Sequence, residues 1–213
     1  MGVAERRERE REQLRAAIID AARDLLLEQG LHGLSMRAIA DRVEYSPATI
    51  YLYFRDKDDL IREVVQTGFE RLSRVVMGEL EREGAGAGPA TQYGAMGRGY
   101  ARFALENPAY FRVMFELPAT AQLCEPSGEA PVTGLDQSVA MVQRAMEEGQ
   151  LEAGDARRTA IVGWGLIHGL TTLYLAGHLR SDIRDADEFI QLIEDAMQSI
   201  YVGWRPDPAG EAA

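Results

Sequence analysis

Lysine is almost absent from this 213-residue chain: of 23 basic residues only Lys57 is a lysine, and the rest are arginine. Cysteine is as scarce. The single Cys124 excludes an internal disulfide, and a reducing cytoplasm is the expected compartment. Cys124 lies in the proline-rich stretch 118–131, expected to be an exposed loop, with no basic neighbour to favour a thiolate. No apolar signal segment opens the sequence. The three histidines, His32, His168 and His178, stand at no metal-ligand spacing, and no serine or carboxylate lies at a motif distance from them. The expectation is therefore no enzyme, no metal and no cofactor. Strand-like alternation is missing along the whole chain, which predicts an all-α fold.

Long uncharged runs are also rare, with one exception. Residues 159–179 hold no Asp, Glu, Lys or Arg and include Gly165 and Gly169, four apart. Twenty-one helical residues at about 1.5 Å each nearly cross a bilayer. Two histidines, four glycines and three threonines lower the hydrophobicity of the run, so no membrane span is expected. The better reading is a central helix buried on nearly all sides, as a dimer interface requires.

What is present concentrates in residues 31–60. Ser35 suits a helix N-cap, with Met36, Ile39, Ala40 and Val43 at helical spacing behind it. Ser46 caps a second helix whose first position is Pro47, where the missing N–H costs nothing. This second helix is expected from Pro47 to Phe54. Ile50 and Phe54, four apart, can face a core, which leaves Thr49, Tyr51, Leu52 and Tyr53 pointing elsewhere. A short helix exposing hydroxyls and aromatics suits the DNA major groove. A further helix is expected over about 58–81, with Lys57 in its first turn, where free N–H groups and the helix dipole favour an anion.

The segment resembles the DNA-binding domain of the tetracycline-repressor (TetR) family of transcriptional regulators. The resemblance rests on Gly30, Gly33, Ser35, Arg37, Ile39 and Ala40, on the run Ser46-Pro47-Ala48-Thr49-Ile50-Tyr51-Leu52-Tyr53-Phe54, and on Lys57 and Leu60. It implies phosphate contacts from Lys57, Tyr53 and Thr49. Arg37 is either a bidentate reader of guanine, a phosphate contact, or a surface partner of Asp41. Pro47, Ala48 and Tyr51 can meet thymine methyl groups or the sugar edge, and Ser35, Ser46 and Leu52 complete the expected DNA-facing set. The sequence departs from the family at the turn, where Glu44-Tyr45 stand in place of the usual Gly-Val. A left-handed Glu44 would cost on the order of 1 kcal/mol relative to glycine.

Formal net charge is −11, of which the first sixty residues carry −2 and the remainder −9. DNA binding in such a chain depends on where the positive groups point, and steep salt dependence is expected. The alternating Glu/Arg stretch over residues 5–15 is either a solvated, frayed extension of the first helix or an arginine arm for the minor groove. The glycine-rich run 84–89 lacks a preceding strand and ends in proline, so it marks a break between helices, not a phosphate loop.

Beyond residue 90, helical patterns recur at about 90–106, 108–117, 135–149, 155–179 and 186–203. The domain division expected is 1–57 for DNA binding, with residues 1–12 as a frayed arm, 58–205 for ligand binding and dimerisation, and 206–213 as a disordered tail. Tyr100, Phe103, Tyr110, Phe111, Met114 and Phe115 form a dense aromatic and methionine cluster that Trp164, Leu166, Ile167 and Tyr174 can face. These side chains either line a pocket for a flat or lipophilic ligand or fill the core. His168 is likewise a polar ligand contact or a satisfied core histidine. Trp164, His168 and Gly169 also resemble a Trp-His-Gly type of C-terminal domain within the family.

Taken with the family resemblance, these residues imply a homodimeric regulator, a repressor in the first instance, that binds double-stranded DNA at a palindromic operator and is released by a small-molecule effector. The competing reading is a small-molecule-binding or protein-interaction module whose DNA-binding head is vestigial.

Overall fold

In the computed structural model, residues 2–84, 86–117 and 134–205 are described. Cys124, the expected loop over 118–131 and the expected tail from Pro206 lie outside them. Among the described residues there are nine helices and no strand, and no helix is long and apolar enough to cross a membrane.

The first helix, α1 (Val3–Gly33), is interrupted at Gly30, whose φ of 66° is a conformation glycine adopts without a Cβ penalty. The Glu/Arg stretch expected as a frayed arm continues this helix outward to Val3, with Arg6 and Glu10 paired at 3.1 Å one turn apart. Then come α2 (Met36–Val43), α3 (Pro47–Ile50), α4 (Lys57–Glu83), α5 (Pro89–Glu106) and α6 (Pro108–Phe115). The last three are α7 (Gly134–Glu147), α8 (Ala156–Leu175) and α9 (Ala186–Gly203). Side-chain caps set several starts: Asp155 accepts from the Arg158 amide, and Asp185 from the Glu188 amide.

The described residues form two compact units. Residues 2–70 and 109–117 make the first, and 71–108 and 134–205 the second. In the first, Ile18, Ala22, Leu25 and Leu26 of α1 share a core with Ile39 of α2, Ile50, Phe54, and Leu60, Ile61 and Val64 of α4. Helix α6 joins the same unit. Tyr110 donates its hydroxyl to Asp20 at 2.9 Å, and the Arg23 guanidinium lies 4.8 Å from the Tyr110 ring centre. Phe115 packs edge-on against Phe69 with centroids 6.0 Å apart.

In the second unit, a Cβ built on Gly99 of α5 would lie 2.7 Å from the Val76 Cα, so the α4 and α5 backbones meet where only glycine fits. Glu79, buried on α4, receives Arg102 at 2.9 Å and Arg98 at 3.5 Å, and also pairs with Arg82. Arg98 extends this network to Glu83 and to Glu194 of α9. Burial opposes ionisation of Glu79, but the hydrogen bonds from Arg82 and Arg102 outweigh it and hold the carboxyl below its ordinary range.

Candidate nucleic-acid interface

Ser35 caps α2 through its hydroxyl, which accepts from the Ala38 amide at 3.1 Å, and Met36, Ile39 and Ala40 turn inward. Arg37 is left exposed on the outer side. It makes no hydrogen bond or ion pair among the described residues, so the Asp41 pairing that the sequence left open is not formed. The helix then ends at Glu44, which does adopt the left-handed conformation (φ 61°, ψ 37°) and donates its amide to the Ala40 carbonyl.

The Ser46 hydroxyl accepts from the Thr49 amide at 3.2 Å and lies 3.0 Å from the Thr49 hydroxyl. The helix that follows is shorter than expected. Regular α-structure covers Pro47–Ile50 only, and residues 51–53 close as tight turns, Leu52 N–H to the Thr49 carbonyl and Tyr53 N–H to the Ile50 carbonyl. Ile50 and Phe54 are both buried, and the Phe54 N–H still reaches the Ile50 carbonyl at 3.1 Å. Tyr51 and Leu52 are pushed outward, 55% and 78% exposed. Ser46, Pro47 and Ala48 are exposed, while Thr49 and Tyr53 are half-buried.

Lys57 opens α4 and is half-buried. Its ammonium donates to the Leu31 carbonyl at 2.5 Å, which ties the start of α4 to the end of α1. One of its three N–H groups is thereby used and two remain. Nearby, Arg55 donates its backbone and side-chain N–H groups to Asp59, at 3.0 and 2.9 Å. These bonds lower the Asp59 carboxyl to about 2.

The residues expected to meet a ligand fall into two sets. Phe111, Met114 and Phe115 belong to the first unit, where Phe111 and Phe115 pack at 5.1 Å and Met114 lies against Gly68. Tyr100, Phe103, Trp164, His168 and Tyr174 belong to the second. Phe103 is fully buried, and Tyr174 stacks on Phe189 at 4.1 Å. The Tyr100 hydroxyl sits 2.8 Å from the His168 Nδ1 and is also hydrogen-bonded by Trp164. Burial raises the Tyr100 phenol, against the smaller opposing effect of Trp164, so the hydroxyl keeps its proton. An indole nitrogen can only donate. Trp164 Nε1–H therefore donates to the Tyr100 oxygen, and the Tyr100 hydroxyl shares a second bond with His168 Nδ1.

The profile for bacterial regulatory proteins of the tetR family matches residues 18–64, and that for a tetracyclin repressor-like C-terminal domain matches residues 94–197. The chain belongs to the TetR family. Among curated relatives, the HTH-type transcriptional regulator UidR of Escherichia coli K12 is 37% identical over 62 residues, covering 29% of this chain and 32% of its own. The HTH-type transcriptional regulator Rv1816 of Mycobacterium tuberculosis is 28% identical over 123 residues, 57% of this chain and 52% of its own. The chain thus spans about a third to a half of the length of these relatives. The solved TetR-family regulator from Marinobacter aquaeolei VT8 has the same fold, with a TM-score of 0.70 at 20% identity over 91% of this chain and 97% of that one.

Within this TetR-family head, Tyr45 was not singled out for the interface by the sequence, yet it is 50% exposed immediately before the α3 cap. It borders an open groove of about 650 Å³ between α1 and the turn, lined also by Glu10, Leu14, Asp24, Arg42 and Val43. The signal was the replacement of a small turn residue by a large aromatic one. Arg42, by contrast, is committed to Glu28 at 2.6 Å.

Proposed function

We propose that this TetR-family regulator is a repressor that binds a palindromic operator as a homodimer in the cytoplasm and is released by a small, lipophilic or aromatic ligand. The observation that carries DNA reading is the set of side chains left outward by the α2–turn–α3 packing: an exposed Arg37, with no partner among the described residues, beside exposed Ser46, Pro47, Ala48, Tyr51 and Leu52. Arg37 is the guanine reader in this reading, and the apolar and aromatic groups meet thymine methyls. Lys57, Tyr53, Thr49 and the capping serines fix the head on the phosphates.

Dimerisation is proposed through α8 and α9. Their outer surface carries exposed Ile161, Val162, Leu173, Leu192 and Val202. Gly165 and Gly169 on α8 have nothing within 4 Å of a built Cβ. A helical glycine costs about 1 kcal/mol relative to alanine, and a partner helix at close approach would account for both. Two such pairs would form a four-helix interface, with the reading helices about one DNA turn, roughly 34–36 Å, apart. The ligand would act by preferring the state that does not bind DNA.

Operator binding by single variants tests the reading. Arg37→Ala is expected to lose about 1–3 kcal/mol and to relax the preference at one base pair only. Lys57→Ala is expected to weaken all sequences alike and to lower the salt slope by about one. Unchanged affinity in both variants would remove this surface from DNA recognition.

A further inference from the structure

We propose that Tyr45, the large aromatic residue in the turn before α3, is a further DNA-contacting residue, whose phenol donates a hydrogen bond to an operator phosphate on the strand opposite the one held by Lys57. The inference deepens the DNA-reading proposal above and rests on it.

The backbone fixes where this side chain stands. The left-handed Glu44 ends α2, and the Tyr45 amide then bonds back to the Ala40 carbonyl at 3.0 Å. Ser46 caps α3 immediately afterwards. Tyr45 is thereby held at the N-terminal end of the reading segment, the end that a helix-turn-helix turns towards the bases. It is half-exposed, and its hydroxyl makes no hydrogen bond among the described residues.

Its neighbours are engaged elsewhere. Arg42 is the only cation among the described residues lining the groove that Tyr45 borders, and it pairs with Glu28 at 2.6 Å. The carboxylates on that groove are paired too, Glu10 with Arg6, and Asp20 and Asp24 with Arg23. In the turn itself, Val43 and Glu44 bring no side-chain donor, and the Ser46 hydroxyl is shared with the Thr49 amide and hydroxyl. What the turn offers a phosphate is therefore the neutral phenol of Tyr45.

The length of the segment separates the two contacts. Ser46 and Phe54 are eight residues apart, a rise of roughly 12–16 Å at helical spacing. The major groove is about 12 Å wide. A segment of that length laid across the groove brings its ends to opposite walls, Tyr53 and Lys57 to one strand and Tyr45 to the other.

The test uses the full chain and an operator selected from a random-sequence pool, read by fluorescence anisotropy. Tyr45→Phe removes only the hydroxyl. It is expected to bind the operator at least tenfold more weakly, and by the same factor on operators altered at single base pairs. The salt slope is expected to stay that of the unaltered chain, because a neutral donor releases no counterion. The Tm is expected to stay the same. Methylphosphonate substitution then locates the contact: at one phosphate of each half-site it weakens the unaltered chain but not Tyr45→Phe. That phosphate is expected on the strand opposite the one where Lys57→Ala shows the same insensitivity. Unchanged affinity of Tyr45→Phe, a loss confined to one base pair, a changed slope or a lowered Tm would overturn the proposal. So would the absence of such a phosphate, or its lying on the Lys57 strand. If the unaltered chain selects no operator, the DNA-reading proposal fails and this contact with it. If it selects one and Tyr45→Phe binds it equally well, only the contact is lost.

Discussion

Glu44 shows how a single backbone angle carries both a cost and an assignment. It is the one non-glycine residue with positive φ among the described residues, and it stands where the family places glycine. A side chain there costs on the order of 1 kcal/mol. Glu44→Gly is therefore expected to raise unfolding stability by about that amount in urea titrations, with operator affinity unchanged. A loss of stability would mean that the glutamate side chain makes a compensating contact. The cost was legible beforehand because the turn is local and its geometry follows from residue type. The bond from Lys57 to Leu31 was not, since it spans 26 residues and depends on how α1 and α4 pack.

Among the elements, the ends set by caps agree with expectation to within a few residues. Ser35, Ser46, Asp155 and Asp185 each bond an amide in the first turn of their helix. Helix α3 departs from expectation at its C-terminal end, where the Leu52 and Tyr53 amides bond three residues back instead of four. The ion-pair network of Glu79 and Arg98 joins α4, α5 and α9, and no spacing rule along one helix reveals it. Close approach of α4 and α5 has a direct consequence. Alanine in place of a helical glycine ordinarily gains about 1 kcal/mol, but at Gly99 the added Cβ meets the Val76 backbone. Gly99→Ala is expected to destabilise the fold by about 1–3 kcal/mol, read as a lowered Tm. An unchanged or raised Tm would show that the two helices separate without loss.

At the scale of the whole molecule, net charge and apolar surface pull in different directions. A chain at −11 repels DNA on average, so binding has to come from a few local cations and steep counterion release. The outer faces of α8 and α9 carry exposed apolar side chains, and in the proposed dimer a second copy would cover them with two-fold symmetry. A charge at the centre of α9, Ala196→Glu, is expected to shift the sedimentation equilibrium towards monomer and to abolish tight operator binding with it. An intact dimer in that variant would move the interface elsewhere. The central claim, a dimer that reads a specific operator, is tested most directly by fluorescence anisotropy of the full chain on DNA from upstream of its own gene, over a salt series. The account predicts tight binding that resists random-sequence competitor and weakens steeply with salt. Binding no tighter than to random DNA, both there and after selection from a random-sequence pool, would contradict it.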